Sequence, residues 1–190
     1  MKKVVLLLLV AICSFAVQAK HLEFMGIPIT GSITSFQSKL IAKGCSVAKD
    51  TNHYPIGIRS FKGIFAGKDC DILVWYNPKT KIVYKVRAIA DGGTSLDNTH
   101  NIFYYYKNML NRKYEGQVVT SDMLEDSENG EFEFDMFVFQ PPIEVGVQAL
   151  GTISIHIIEY DVYPTTYGVA ITYEDFEGSS KNEENSMNDL

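Results

Sequence analysis

The amino-acid sequence predicts an α+β protein in which two helix-plus-antiparallel-meander repeats form a two-layer sandwich. Helical periodicity occurs in two separate segments, and each is followed by several short runs rich in β-branched and aromatic residues. The strand candidates also follow one another through short turns, whereas parallel strands need a long crossover between each pair. We therefore expect an antiparallel sheet with its helices on one face.

The chain opens with a basic region, an apolar run and a small-residue motif, in that order. Lys2 and Lys3 form the basic region, residues 4–17 form the apolar run, and the motif ends at Ala19. This order is typical of a secretory signal peptide with cleavage after Ala19. The run is shorter than the roughly 20 residues that span a bilayer. We expect an exported protein, periplasmic or secreted, without a membrane span after cleavage.

The charge balance bears on the class of partner. The whole chain carries a formal charge of −6, which becomes −8 when Lys2 and Lys3 leave with the signal peptide. An acidic chain repels phosphate backbones, and no basic stripe reverses this locally. Nucleic acid is therefore excluded as an expected partner. Neither a cofactor nor a metal is expected, because no motif for either is present.

The first predicted helix follows a capping residue, either Thr30 or Ser32, and stops at Gly44. The apolar residues that recur at helical spacing are Ile33, Phe36, Leu40 and Ile41. Strands are predicted over residues 58–66, 72–76 and 81–89. The last two flank the turn "NPKT", in which Pro78 presets the backbone angle, and they indicate a hairpin.

The stretch "ADGGTSLDNTHN", residues 90–101, has the residue types of an active site or of a junction between a strand and a helix. Ser95 or Asp97 can accept hydrogen bonds from the free amides of a helix that follows. A phosphate-binding loop is the alternative, but the lysine and glycine spacing of such loops are missing. We interpret the stretch as a capping segment, followed by a helix from which Tyr104 points outward.

Three later segments alternate in the manner of strands: "EFEFDMFVF", "GTISIHIIEY" and "YGVAITYEDF". In the second of these, Ile153, Ile155 and Ile157 are predicted to face the core, and Ser154 and His156 to face outward. Beyond Glu177 the sequence has no apolar periodicity, which predicts a disordered acidic tail.

These elements divide the chain into four parts, which are a signal peptide (1–19), a first helix and three-strand half (20–95), a second helix with three to four strands (96–177) and the tail (178–190). An offset of 70 residues relates Phe36 to Tyr106 and Leu40 to Leu110 in the two helices. This correspondence predicts an internal duplication.

The segments "GIPITGS", "FQSKLIAKG", "GIFAG", "NPKTKIVYKV" and "MLNRKYEG" resemble a group of uncharacterised exported proteins of gut Bacteroidetes. The likeness covers most of residues 22–116 and implies no catalytic residues. The tandem helix-plus-sheet plan is also similar in architecture to the β-lactamase-inhibitor protein, a secreted binding module. A shared architecture does not by itself imply a shared activity.

Two sets of residues are candidates for a catalytic site or for a disulfide. No two of the histidines His21, His53, His100 and His156 have metal-ligand spacing. His156 lies close in sequence to Glu159 and Asp161, and these three could form an acid/base site. Cys45 and Cys70 either form a disulfide, as an exported pair allows, or remain two separate buried thiols.

Exposed aromatic residues favour a binding function. Three consecutive tyrosines cannot all be buried by one helix, so Tyr104 is expected at the surface, and Phe137 and Phe139 continue the strand face of Glu133 and Asp135. The sequence therefore predicts an exported, non-enzymatic binding or interaction module whose partner is a protein or envelope ligand. A small periplasmic hydrolase that uses His156 is the alternative.

Overall fold

The computed structural model describes residues 21–49, 54–114, 118–125, 133–139 and 150–187. In chain order the elements are β1 (Glu23–Phe24), β2 (Ile27–Pro28), α1 (Ile33–Ala42), β3 (Ser46–Val47), β4 (Ile58–Phe65), β5 (Lys68–Tyr76), β6 (Val83–Gly93), α2 (Leu96–Lys113), β7 (Val118–Glu125), β8 (Glu133–Phe139), β9 (Gly151–Tyr160), β10 (Thr166–Asp175) and α3 (Phe176–Met187). The predicted α+β class is confirmed.

Eight of the strands form one antiparallel sheet in the order β3-β4-β5-β6-β10-β9-β8-β7, and β1 pairs with β2 separately. In chain order, the strands before α2 run from one edge of the sheet to its centre, and those after α2 run from the other edge to the centre. The two sets meet where β6 pairs with β10, with Ile89 opposite Ala170. Residues from both predicted halves therefore belong to a single sheet.

Helix α1 begins and ends as its sequence predicts. Ser32 is the N-cap, and its side chain accepts a hydrogen bond of 3.2 Å from the Ser35 amide. Gly44 follows the helix with a positive φ of 90°, which is strained for other residues. The expected inward face is confirmed except at Ile41, whose side chain is 49% exposed.

The hairpin of β5 and β6 closes through the predicted "NPKT" turn. Asn77 is buried, and its side-chain oxygen accepts hydrogen bonds from the amides of Lys79 and Thr80 at 2.8 and 2.9 Å. This side chain satisfies two turn amides that no strand reaches, so it stabilises the turn that sets the β5–β6 register.

The capping interpretation of residues 90–101 is confirmed. Ser95 is the N-cap of α2, and its hydroxyl accepts a 3.2 Å hydrogen bond from the Asn98 amide. Gly93 has a φ of +67°, and its amide donates to Asp91 at 2.8 Å. The polar side chains of this stretch thus satisfy backbone groups at the start of the helix.

One face of the sheet, which we call the core face, packs against α1 and α2. Cross-strand neighbours on it include Ile155, Ile171, Ala88, Ile72 and Phe61, and each is fully buried. Aromatic rings close the core, since Phe65 stacks on Phe24 at 4.9 Å and on Tyr106 at 5.9 Å between ring centroids. Burying each such side chain stabilises the fold by about 1.5–3 kcal/mol.

The predicted disorder of the tail is wrong for most of its length, because α3 continues to Met187. Asp175, which is 1% exposed, accepts hydrogen bonds from the amides of Gly178 and Leu22, each 2.9 Å long. Farther along the helix, the Asn77 side-chain amide donates to Asn182 at 2.9 Å. These anchors come from distant parts of the chain, so apolar periodicity in the tail itself could not reveal them.

Residues 1–19, the predicted signal peptide, lie outside the described residues. Among the helices of the described ranges, none combines the length and the apolar character needed to cross a membrane.

Candidate functional site

The face of the sheet opposite the helices carries charged, polar and aromatic residues, and we call it the polar face. It is defined by alternate positions of five neighbouring strands: Ser60, Lys62, Asp69, Asp71, Leu73, Trp75, Lys85, Arg87, Ile89, Asp91, Ser154, His156, Gly168, Ala170, Thr172 and Glu174. Because side chains alternate along a strand, this set is separate from the core residues. The sequence pattern alone does not predict which of these side chains are neighbours across the strands.

Arg87 occupies the middle of the polar face. Its Nε donates a 2.9 Å hydrogen bond to the Thr172 hydroxyl, and its guanidinium lies 5.4 Å from the centre of the Trp75 ring. Burial lowers the pKa of Arg87, and nearby Tyr160 and Glu174 act in the opposite direction. An arginine remains charged at neutral pH because its ordinary pKa is so high. The site therefore holds a half-buried positive charge.

The other cations of the polar face have carboxylate partners. Lys62 lies 2.9 Å from Asp71, and Lys85 lies 2.9 Å from Glu174. Among the side chains that the structure describes, Arg87 forms no ion pair, and its terminal nitrogens have no hydrogen-bond acceptor. It differs in this respect from both lysines.

A depression of about 500 Å³ lies on the polar face, where Ile89 and Asp91 of β6, the strand that carries Arg87, form part of its lining. Its lining residues are Lys62, Gly63, Asp69, Cys70, Asp71, Ile89, Asp91, Tyr160 and Gly168. Tyr160 is 39% exposed, so part of its ring faces solvent at the rim. Burial and the carboxylates of Asp71 and Asp91 raise the pKa of Tyr160, which keeps its hydroxyl neutral. The depression thus combines an aromatic rim with acidic walls.

His156 also lies on the polar face, but its expected partners do not meet it. Its Nδ1 is buried, with no hydrogen-bond partner among the described residues. Burial and then the charge of Arg87 lower the pKa of His156, so the ring is neutral at neutral pH. Glu159 is an odd number of residues away and therefore on the other face, and Asp161 lies beyond the end of β9. No described hydrogen bond or ion pair joins either carboxylate to His156, and the acid/base site stays a prediction.

The residues predicted to bind a partner do not share one described surface. Tyr104 is 48% exposed on α2, where Lys107 lies 5.6 Å from its ring centre. Since α2 packs on the core face, Tyr104 belongs to the side of the molecule opposite the polar face. Phe137 and Phe139 pair with Ile155 and Ile153 in the register of β8 and β9. The exposure predicted for their side chains lies outside what is described.

Both candidate disulfide residues are present as free, buried thiols. Cys45 packs over Gly63, which itself pairs with Cys70 in the neighbouring strand. The sulfur of Cys70 lies 3.5 Å from the Tyr106 hydroxyl. Burial raises the pKa of both cysteines, which disfavours the thiolate needed for nucleophilic chemistry. Of the two readings, the structure shows the pair of separate thiols.

A metal centre also has no support in the described ranges, where no three histidine, cysteine or acidic side chains converge.

The residues that sequence reasoning missed are Arg87 and Trp75, both of which were assigned only to strands. Alternation along "ILVWY" and "KIVYKVRAI" divides the residues of each strand between two faces. Their contact depended on the β5–β6 register, which alternation does not supply.

The fold and this site define a class of protein, namely an α+β protein with one antiparallel sheet whose core face carries helices and whose polar face is charged and aromatic. No family model matches the chain, and no curated protein or solved structure shows significant similarity to it. The polar face is therefore the feature of this chain that bears on its function.

Proposed function

We propose that the protein is an exported, non-enzymatic binding module that recognises a protein or envelope ligand over its polar face. The observation that carries the proposal is the depression of about 500 Å³ between Tyr160 and the aspartates. Its volume lies within the range of about 300–1,000 Å³ found for ligand sites. Partly exposed tyrosines at a rim are enriched in binding surfaces, because they bury a large area at low entropic cost.

Export is proposed from the N-terminal basic, apolar and small-residue pattern, which indicates a periplasmic or secreted location. The formal charge of −6 supports a partner other than nucleic acid. The acidic walls of the depression add to this, since Asp71 and Asp91 would repel phosphate groups at short range.

We also propose that the architecture is a two-layer sandwich of two helix-plus-meander repeats. The mirrored strand order, with β4-β5-β6 on one side of the centre and β10-β9-β8-β7 on the other, supports this. So does the burial of Phe36 and Leu40 in α1 and of Tyr106 and Leu110 in α2, which are related by the offset of 70 residues.

Site-specific photo-crosslinking would test the proposed binding surface. A photoreactive amino acid replaces Tyr160 in one variant and Tyr104 in a matched control, because the two tyrosines are comparably exposed on opposite sides of the molecule. In cells that carry the gene naturally, we expect the Tyr160 variant to form a discrete adduct, identified by mass spectrometry. The Tyr104 variant is expected to form none.

A second substitution links the adduct to the depression. Asp91→Ala removes an exposed side chain that lines the depression. It should therefore lower the yield of the Tyr160 adduct without unfolding the protein. An adduct formed only from Tyr104, or one that Asp91→Ala leaves unchanged, would place the binding surface elsewhere and refute the proposal.

A further inference from the structure

Building on the proposed binding function, we propose that Arg87 receives the carboxylate group of an amphipathic ligand on the polar face. The observation behind this proposal is that a half-buried guanidinium is held in place by Thr172 and Trp75 while its terminal nitrogens have no acceptor among the described residues.

The contacts of Arg87 fix its position without neutralising it. The Nε–Thr172 hydrogen bond of 2.9 Å and the Trp75 ring at 5.4 Å hold two sides of the guanidinium. The terminal nitrogens of an arginine present parallel N–H groups that match the two oxygens of a carboxylate. A side chain that is already ordered loses less entropy when it binds, so the site is organised before the ligand arrives.

Arg59 is an arginine of the same protein whose terminal nitrogen has a hydrogen-bond acceptor. It is also partly buried and lies 5.9 Å from an aromatic ring, that of Tyr76, but its terminal nitrogen donates a 2.7 Å hydrogen bond to Gln37. The two arginines therefore differ in whether the described residues supply an acceptor for a terminal nitrogen. This difference makes Arg59 a matched control.

The surroundings of Arg87 favour a single carboxylate attached to an apolar body. Leu73 lies opposite Arg87 on β5, and Ile89 and Ala170 pair in the adjacent row. Leu73 and Ala170 are buried, whereas Ile89 and the Trp75 ring are partly exposed and provide apolar contact next to the charge. The acidic groups around the depression repel a doubly charged phosphate more strongly than a singly charged carboxylate.

The chain contains a single tryptophan, Trp75, so its fluorescence reports on the proposed site. The probes are sodium octanoate, the neutral octanamide and inorganic phosphate, each titrated into the full folded chain. We expect a saturable change in Trp75 fluorescence with octanoate and none with the other two probes. Calorimetry provides a second reading that does not depend on the ring.

Two substitutions assign the binding to Arg87. Arg87→Gln should weaken octanoate binding at least about ten-fold, because the charge is lost, whereas Arg59→Gln should leave it unchanged. Arg87→Lys keeps the charge but loses the paired N–H groups, so it should give an intermediate affinity and also serves if the glutamine variant does not fold. Far-UV circular dichroism identifies the folded variants.

Three results would overturn the inference: no saturable response to octanoate, equal binding of octanamide or phosphate, or an Arg87→Lys variant that binds as well as the native chain. The outcome is separable from that of the proposed function. A Tyr160 adduct that persists without octanoate binding would refute only the carboxylate site, and octanoate binding without that adduct would refute only the partner surface.

Discussion

The buried carboxylate of Asp175 makes the most specific prediction about stability. It accepts hydrogen bonds from the amides of Leu22 and Gly178, and His21 Nδ1 lies 3.1 Å from it. It therefore joins the first described residues to the start of α3. We expect Asp175→Ala to destabilise the fold more than any single exposed change on that helix.

The size of the effect follows from the groups left without a partner. A buried amide that loses its acceptor, here Leu22 N, costs about 1–3 kcal/mol, and a lost N-cap costs about 1 kcal/mol. We expect a loss of about 3 kcal/mol for Asp175→Ala. In a chain of this size that corresponds to a melting temperature lower by about 6–12 °C. Asp175→Asn keeps one oxygen acceptor and should lose about half as much free energy.

Thermal and urea denaturation, followed by circular dichroism, would measure these values. Glu177→Gln is the matched control, because Glu177 is an exposed acidic residue in the first turn of α3 that pairs with Lys181. Such exposed pairs contribute less than about 1 kcal/mol. The reasoning would be refuted if Asp175→Ala remained within about 1 kcal/mol of the native chain or if the control lost as much.

Three further predictions concern the core and the polar face. Gly63→Ala should lower the free energy of unfolding, measured in urea, by about 1–3 kcal/mol, because the new Cβ would lie 2.6 Å from the Cys45 sulfur. Adding Cys45→Ala to this variant should restore part of the loss. Burial lowers the pKa of His156 in the folded chain from its ordinary value of 6.5. As the pH falls, the unfolded chain therefore protonates this histidine first, so the free energy of unfolding should decrease below about pH 6.5. The decrease should be less steep in His156→Gln. A steeper drop in that variant would contradict this sign. Peptide-resolved labelling with a thiol reagent should modify Cys45 and Cys70 slowly in the folded chain and quickly in denaturant, and equal rates would refute their burial.

The features that sequence reasoning located are those with local causes. Ser32 and Ser95 lie directly before helical periodicity, and each caps the helix that it precedes. The "NPKT" turn between two β-rich runs produced the hairpin of β5 and β6. In each case the residues that determine the structure are within a few positions of one another.

The features that it missed depend on residues far apart in the chain. Helix α3 begins directly after the buried Asp175, whose partners include Leu22, 153 residues away. Arg87 meets Trp75 and Thr172 only because three strands align in one register. Alternating polarity determines which face a side chain occupies, but it does not determine which neighbours it meets there.

The position of β10 at the middle of the sheet has a consequence for the order of folding. The strands that precede α2 can form their meander early, yet the inner edge of β6 has no partner until the last strand is available. Until β10 pairs with it, that edge would present unpaired amides and carbonyls to other chains, which favours aggregation. A chaperone that shields strand edges should therefore be needed most by chains truncated before residue 166.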